Sequence, residues 1–196
     1  MKGKLIVFEG IDGVGKTTLS LTFKKELAKR GIPAIHYEKE AEDENGGYNK
    51  LKPFIKNNTP SSASLFFYLS SSIFKSGIIN ELLKSKWVIC DRYIYSTLAY
   101  HKIRGANYQN FFKLNNLPIV WPDFYFLIKT NEKVRLARIE RRKTSLKDDF
   151  KRKKRGSLVD RMEKELVRFH PHIINNNSDD IGKTVARIIH LVFRDV

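Results

Sequence analysis

The sequence predicts an α/β fold in three layers, a mainly parallel sheet with helices on both of its faces. Three observations carry this. Short apolar, β-rich runs alternate along the 196 residues with stretches of helical character, the pattern of strands joined by helical crossovers. The first strand pattern passes through a glycine-rich turn directly into a helix pattern. Finally, 41% hydrophobic residues are enough to build the core of one compact domain over residues 1–196.

Taken in order, Lys4–Glu9 (KLIVFE) is the first strand. TTLSLTFKKELAKR follows as a helix with Leu19, Leu21, Phe23 and Leu27 at its apolar positions, and Gly31 is placed to end it. Pro33–Tyr37 reads as a second strand. Glu38–Asn49 is acidic, contains Gly46 and Gly47 and has no period, so a loop is expected, with a short helix over Leu51–Ile55. Thr59-Pro60-Ser61-Ser62 is a helix start before a long segment reaching about Lys84. Lys86–Cys90 (KWVIC) restores a buried-strand pattern. A helix over Tyr93–Lys102, a strand over Asp123–Ile128 and a helix over Asn131–Arg142, opened by an asparagine cap, continue the alternation. Ser157–Phe169 and Ser178–Phe193 are further helical segments. Between the helices expected over Asn131–Arg142 and Ser157–Phe169, the basic segment at about 141–157 (RRKTSLKDDFKRKKRG from Arg141) is the candidate for a mobile lid; an exposed loop or a continued charged helix would read the same way.

Lys and Arg total 37 against 21 Asp and Glu, a net charge of +16. That surplus points to polyanionic partners, whether nucleic acid, an anionic membrane surface or nucleotide phosphates, unless it is solvated surface charge. The single cysteine, Cys90, lies in an apolar run and has no partner for an intramolecular disulfide, which fits a small core residue in a reducing, cytoplasmic setting. No apolar stretch reaches the length of a membrane span, so no membrane partner is expected.

Residues 10–17 read GIDGVGKT, meeting the pattern GxxxxGK[ST] with Gly10, Gly15, Lys16 and Thr17 between strand and helix. Glycines let the backbone curl so that successive N–H groups from Gly13, Val14 and Gly15 through Thr18 point at phosphates, with the positive end of the helix behind them. Lys16 adds a point charge that can follow the transferring phosphoryl group, and the Thr17 hydroxyl is a ligand for Mg²⁺. This phosphate-binding loop (P-loop) alone does not separate kinases from GTPases, ATPases or motor domains. Asp91-Arg92-Tyr93 follows the buried strand KWVIC, on the same rim as the loop if the strands are parallel. There Asp91 can hold Mg²⁺ through water and Arg92 can bind phosphate bidentately; a helix-capping Asp beside a surface Arg is the plainer alternative.

FEGIDGVGKTTL at residues 8–19 together with ICDRYIYSTLAY at 89–100 resembles the thymidylate kinase family of P-loop nucleoside monophosphate kinases, and PDFYFLI at 122–128 resembles its next strand. The resemblance implies a P-loop NTPase fold, ATP and Mg²⁺ as cofactors, and transfer of the ATP γ-phosphate to dTMP. It assigns phosphate contact to Arg92, metal assistance to Asp91, and the acceptor sugar hydroxyl to Asp12. Counting back from Asp91 places Phe67 where relatives stack an aromatic on thymine, with packing in the core as the alternative; Ser96, Thr97 and Tyr100 fall near the acceptor pocket. Arg138, Arg141 and Arg142 are candidates for a lid-side arginine. The chain departs from the family in two places. Ser71 stands where relatives carry a base-bonding arginine, and the Arg-Glu-Pro-Gly-Gly signature is replaced by Glu38-Lys39-Glu40-Ala41, where Lys39 could replace the arginine only as a point charge. Another nucleoside monophosphate, or a deoxynucleoside, is therefore the alternative acceptor. By resemblance the partners are small-molecule nucleotides and a second copy of the chain; a nucleic-acid-binding P-loop protein is the reading of a different class, resting on KRKKR at 151–155.

Overall fold

The computed structural model describes residues 3–40, 46–141, 156–178 and 180–194. Its centre is strand β1 (Leu5–Glu9), in which all five residues are buried. β3 (Trp87–Asp91) pairs with it on one side and β4 (Phe124–Lys129) on the other. β2 (Ala34–His36) extends the sheet beyond β3, and β5 (His172–Asn175) beyond β4. The order is β2-β3-β1-β4-β5 and every pairing is parallel. Parallel neighbours require crossovers, and helices supply them: α1 (Lys16–Lys29), a four-residue turn α2 (Tyr37–Glu40), α3 (Gly46–Asn58), α4 (Ser61–Leu82), α5 (Ile94–Ile103), α6 (Glu132–Arg141), α7 (Gly156–Val167) and α8 (Ile181–Arg194).

The central strands read as unbroken apolar runs because they are covered on both faces, yet their side chains still alternate. Leu5, Val7, Val88, Cys90, Tyr125 and Leu127 point into one core with Leu65, Leu69 and Leu98 from α4 and α5. Ile6, Phe8, Ile89, Phe126 and Ile128 point into the other, against Leu19, Phe23 and Leu27 of α1 and Val185, Ile188 and Val192 of α8. Cys90 is a buried member of the first core. Among the described residues no helix is long and apolar enough to cross a membrane.

Two parts of the chain differ from the expectation. β5 is an additional strand: it has four residues, of which only Ile174 is buried, and it exists because β4 presents an open edge for its backbone. The acidic segment expected as a loop is helical at both ends, in α2 and in α3. α3 is longer than the expected 51–55 because its face packs on α4, with Tyr48 against Phe67 and Phe74. The expected lid lies outside the described residues except at its two ends.

After β1 the chain lays β2 and β3 to one side and β4 and β5 to the other. The carboxyl ends of β1 and β3, where that direction reverses, form the crevice in which α/β sheets bind ligands. Both motifs end there, since Phe8 registers with Asp91.

Candidate active site

Gly10, Gly13 and Gly15 all have positive φ, at 143°, 91° and 93°. A Cβ on Gly10 would stand 2.5 Å from the Ile128 carbonyl oxygen of β4, and one on Gly15 would stand 2.6 Å from Asn176 Nδ2; only glycine lets the loop pass so close to its neighbours. α1 begins at Lys16 with no side chain capping its first turn, which leaves those N–H groups for an anion. Val14 is buried, and its carbonyl accepts from Asn176 Nδ2 at 2.8 Å. Lys16 is buried with Nζ donating to the Ile11 carbonyl at 3.0 Å. Burial, and Arg92 beside it, push this ammonium down to about 8 against the opposing pull of Asp91, Asp12 and Glu9. Thr18 is exposed on the first turn of α1.

Across the crevice, Thr17 Oγ1 donates to Asp91 Oδ2. The two make a hard-oxygen pair suited to Mg²⁺, which takes one or two protein ligands and fills the rest with water and substrate phosphate. No group of three metal-binding acidic, His or Cys side chains occurs among the described residues, and such a cation needs none. Arg92 follows with φ 75°, left-handed for a residue other than glycine. The turn sends its guanidinium back over the P-loop, where Nη2 donates to Asp12 Oδ1 at 2.7 Å and Nη1 to Ser96 Oγ at 3.2 Å. Glu9, at the end of β1 and fully buried, accepts from Tyr93 N at 2.9 Å, from Ser96 N at 3.1 Å and from the Ser96 hydroxyl. It caps α5, whose own N-terminal residue makes no side-chain cap. Burial raises its carboxyl above the usual range, with Arg92 and the hydrogen bonds pulling the other way.

Beside this rim opens a cavity of about 530 Å³, the size of a nucleotide-scale ligand site. Asp12, Asp91 and Arg92 stand at its P-loop end, and Ser71, Ser96, Thr97 and Tyr100 are in its wall. A smaller space of about 150 Å³ lies against Gly13, Gly15, Lys16 and Thr17 and shares Asp12, Asp91 and Arg92 with it. The two spaces thus meet at three side chains.

Two expected residues stand elsewhere. Lys39 is exposed and outside the wall; the chain turns helical at Tyr37, so α2 presents Tyr37 and Glu38 inward, and the lysines in the wall are Lys52 of α3 and Lys75 of α4. The Phe67 ring packs on Tyr48 and Tyr68 at centroid distances of 5.6 and 5.3 Å. The aromatic of α4 in the wall is Tyr68, one of a helical stripe Ser64, Tyr68, Ser71, Ser72 and Lys75. Arg138 donates to the carbonyls of Asn176 at 2.9 Å and Ser178 at 3.0 Å, which ties α6 to the segment after β5. Arg141 is exposed at the end of α6, and Arg142 lies outside the described residues. Arg135 is the α6 arginine in the cavity wall, forked onto Glu132 with two bonds of 2.6 Å.

Lys75, Arg135 and Asn176 escape a motif search, and Glu9 and Glu38 have no role assigned to them although they lie within FEGIDGVGKTTL and Glu38-Lys39-Glu40-Ala41. Glu9 alone carries a signal in one sequence, an ionisable residue closing a wholly apolar strand. The others become neighbours of the motifs only through pairing and helix packing.

A P-loop set for phosphate could serve hydrolysis or transfer. The second cavity, joined to it through Asp12, Asp91 and Arg92, is what a transferase needs for its acceptor; fold and site together define a P-loop kinase. Residues 8–188 match the model of the thymidylate kinase family, and the chain belongs to that family. A probable thymidylate kinase of Methanocaldococcus jannaschii is 34% identical over 151 residues, 76% of each chain. A thymidylate kinase of Caldicellulosiruptor saccharolyticus is 30% identical over 97% of this chain and 88% of its own. The crystal structure of thymidylate kinase from Ehrlichia chaffeensis superposes with a TM-score of 0.63 at 27% identity, covering 98% of this chain and 100% of that one.

Proposed function

We propose that this protein transfers the γ-phosphate of ATP to dTMP, giving dTDP and ADP, as one kinase domain over residues 1–196 with its lid at about 141–157. The observation that carries the reading is the 530 Å³ cavity opening onto the P-loop through Asp12 and Arg92, in a chain of the thymidylate kinase family. The working form is a cytoplasmic homodimer by analogy with that family.

The P-loop amides from Gly13 to Thr18 hold the donor phosphates and Lys16 follows the phosphoryl group in flight. Thr17 and Asp91 would hold Mg²⁺, which would supply positive charge to the donor phosphates. Asp12 accepts from a sugar hydroxyl and orients the acceptor. Arg92, anchored on Asp12 and Ser96, offers its remaining N–H groups to phosphate. No strong general base is required, because the attacking phosphate oxygen is already anionic; the rate comes from positioning and charge stabilisation. The wall of Tyr68, Ser71, Ser72, Thr97 and Tyr100 receives the base with neutral donors and acceptors.

ADP release measured across a panel of nucleoside monophosphates and nucleosides tests the assignment. The highest kcat/KM is expected with dTMP; a higher value with thymidine or a purine monophosphate refutes it.

A further inference from the structure

The turn that carries Asp91 and Arg92 is held from outside the two motifs. β2 pairs with β3 in a register that sets His36 opposite Ile89. Continued by two residues it would bring residue 38 opposite residue 91, but the chain leaves the sheet for α2 at Tyr37. The Asp91 amide therefore has no strand carbonyl from β2. The Glu38 side chain fills that place: Oε2 accepts from Asp91 N at 2.8 Å, while Oε1 is paired with Lys75 Nζ. The Lys75 ammonium, reaching in from α4, also donates to the Arg92 carbonyl at 3.2 Å and lies 4.4 Å from the centre of the Tyr37 ring. Its charge is thus shared among a carboxylate, a carbonyl and a ring face. The two side chains are only 13% and 19% exposed. A buried ion pair is a poor device for stability alone, because desolvation offsets most of the attraction. What this one does is geometric: it grips the dipeptide at both ends, at the amide before the Asp91 side chain and at the carbonyl after the left-handed Arg92.

We propose that Glu38 and Lys75 form a positioning pair that sets the Asp91 carboxylate and the Arg92 guanidinium in register with the P-loop. The pair acts through the turn, and its consequence for turnover rests on the kinase reading above.

The test uses the full chain and the variants Glu38→Ala, Glu38→Gln, Lys75→Met and Glu38→Ala/Lys75→Met. In the ligand-free protein, hydrogen exchange at the Asp91 amide should quicken about tenfold or more in Glu38→Ala, while that of Ile89 changes by less than about twofold. Glu38→Gln keeps an acceptor oxygen without the charge, so the amide should stay protected while kcat still falls. Lys75→Met should lower kcat about tenfold or more with ATP binding within about threefold of wild type, and the double variant should be no slower than the worse single, the mark of coupled residues. Unchanged Asp91 exchange in Glu38→Ala, or a Lys75→Met enzyme within about threefold of wild-type kcat, overturns the proposal. So does a loss of ATP binding and melting temperature in step with kcat, which is what a merely structural pair would give. Should Glu38→Ala not fold, Glu38→Gln and Lys75→Met decide on kcat. A wild-type protein that phosphorylates no monophosphate would sink the functional reading instead, and the exchange result would still decide the pair.

Discussion

Replacing Glu9 by alanine should destabilise the protein by about 2–4 kcal/mol. The side chain is fully buried and accepts from Tyr93 N, Ser96 N and the Ser96 hydroxyl. Alanine leaves both amides at the start of α5 without an acceptor, at about 1–3 kcal/mol each, a range that includes the usual loss of a helix cap. Against this stands relief from burying a charge, since burial raises the Glu9 carboxyl above its ordinary 4.5. In a chain of 196 residues each kcal/mol moves the melting temperature by about 2–4 °C, so a fall of about 5–15 °C is expected. Glu9→Gln separates the two effects: its amide oxygen still accepts from both backbone groups, and it should cost less than half as much as alanine. Urea unfolding at pH 7 with unchanged slope, checked by calorimetry, measures both. The pH dependence has a definite sign. Because the folded carboxyl binds its proton more tightly than the unfolded one, its contribution is full below about 4.5 and is lost as pH rises through the folded value. Wild type should therefore lose stability relative to Glu9→Gln across that window and run parallel to it above. An alanine variant within about 1 kcal/mol of wild type, or a glutamine variant as damaging as alanine, refutes this account of the α5 cap.

Lys16→Ala should reduce turnover at least about 100-fold while circular dichroism and the unfolding midpoint show the fold intact; full activity in that variant would end the P-loop mechanism. Asp12→Ala should raise the acceptor KM by about tenfold with ATP binding largely kept, because Asp12 orients the acceptor; equal loss of both ligands in calorimetric titration counts against that role. Asn176→Ala removes the 2.8 Å bond to the Val14 carbonyl and should weaken ATP binding several-fold, about 3–10-fold by fluorescence titration, with acceptor binding unchanged. Unaltered ATP affinity would show that the loop holds its shape without the segment after β5.

The strands β1, β3 and β4, the long helix α4 and the P-loop are legible in the sequence because each is a local pattern. Apolar runs of strand length, a proline-led helix start and glycines before Lys16 say what the backbone does within a few residues. The joining of Asp91 to Thr17 is also readable, since strand ends in a parallel sheet share a rim. Legibility stops where the partner is remote. β5 carries almost no pattern of its own, with three of four residues exposed, and forms because β4 offers an edge. Lys39 looks like the cation of the acceptor site by position in the chain, but a helical turn at Tyr37 puts it outside, and the lysines lining the cavity are Lys52 and Lys75 from other helices. The sequence by itself therefore determined the fold class, the family and the place of the P-loop, all written in local patterns. Only the tertiary structure decided that Glu9 caps α5, that Glu38 and Lys75 grip the Asp91–Arg92 turn, and that Asn176 braces the P-loop. Those contacts join residues 17 to 162 positions apart, and no local periodicity records which buried polar groups will meet; that is set by strand order and helix packing.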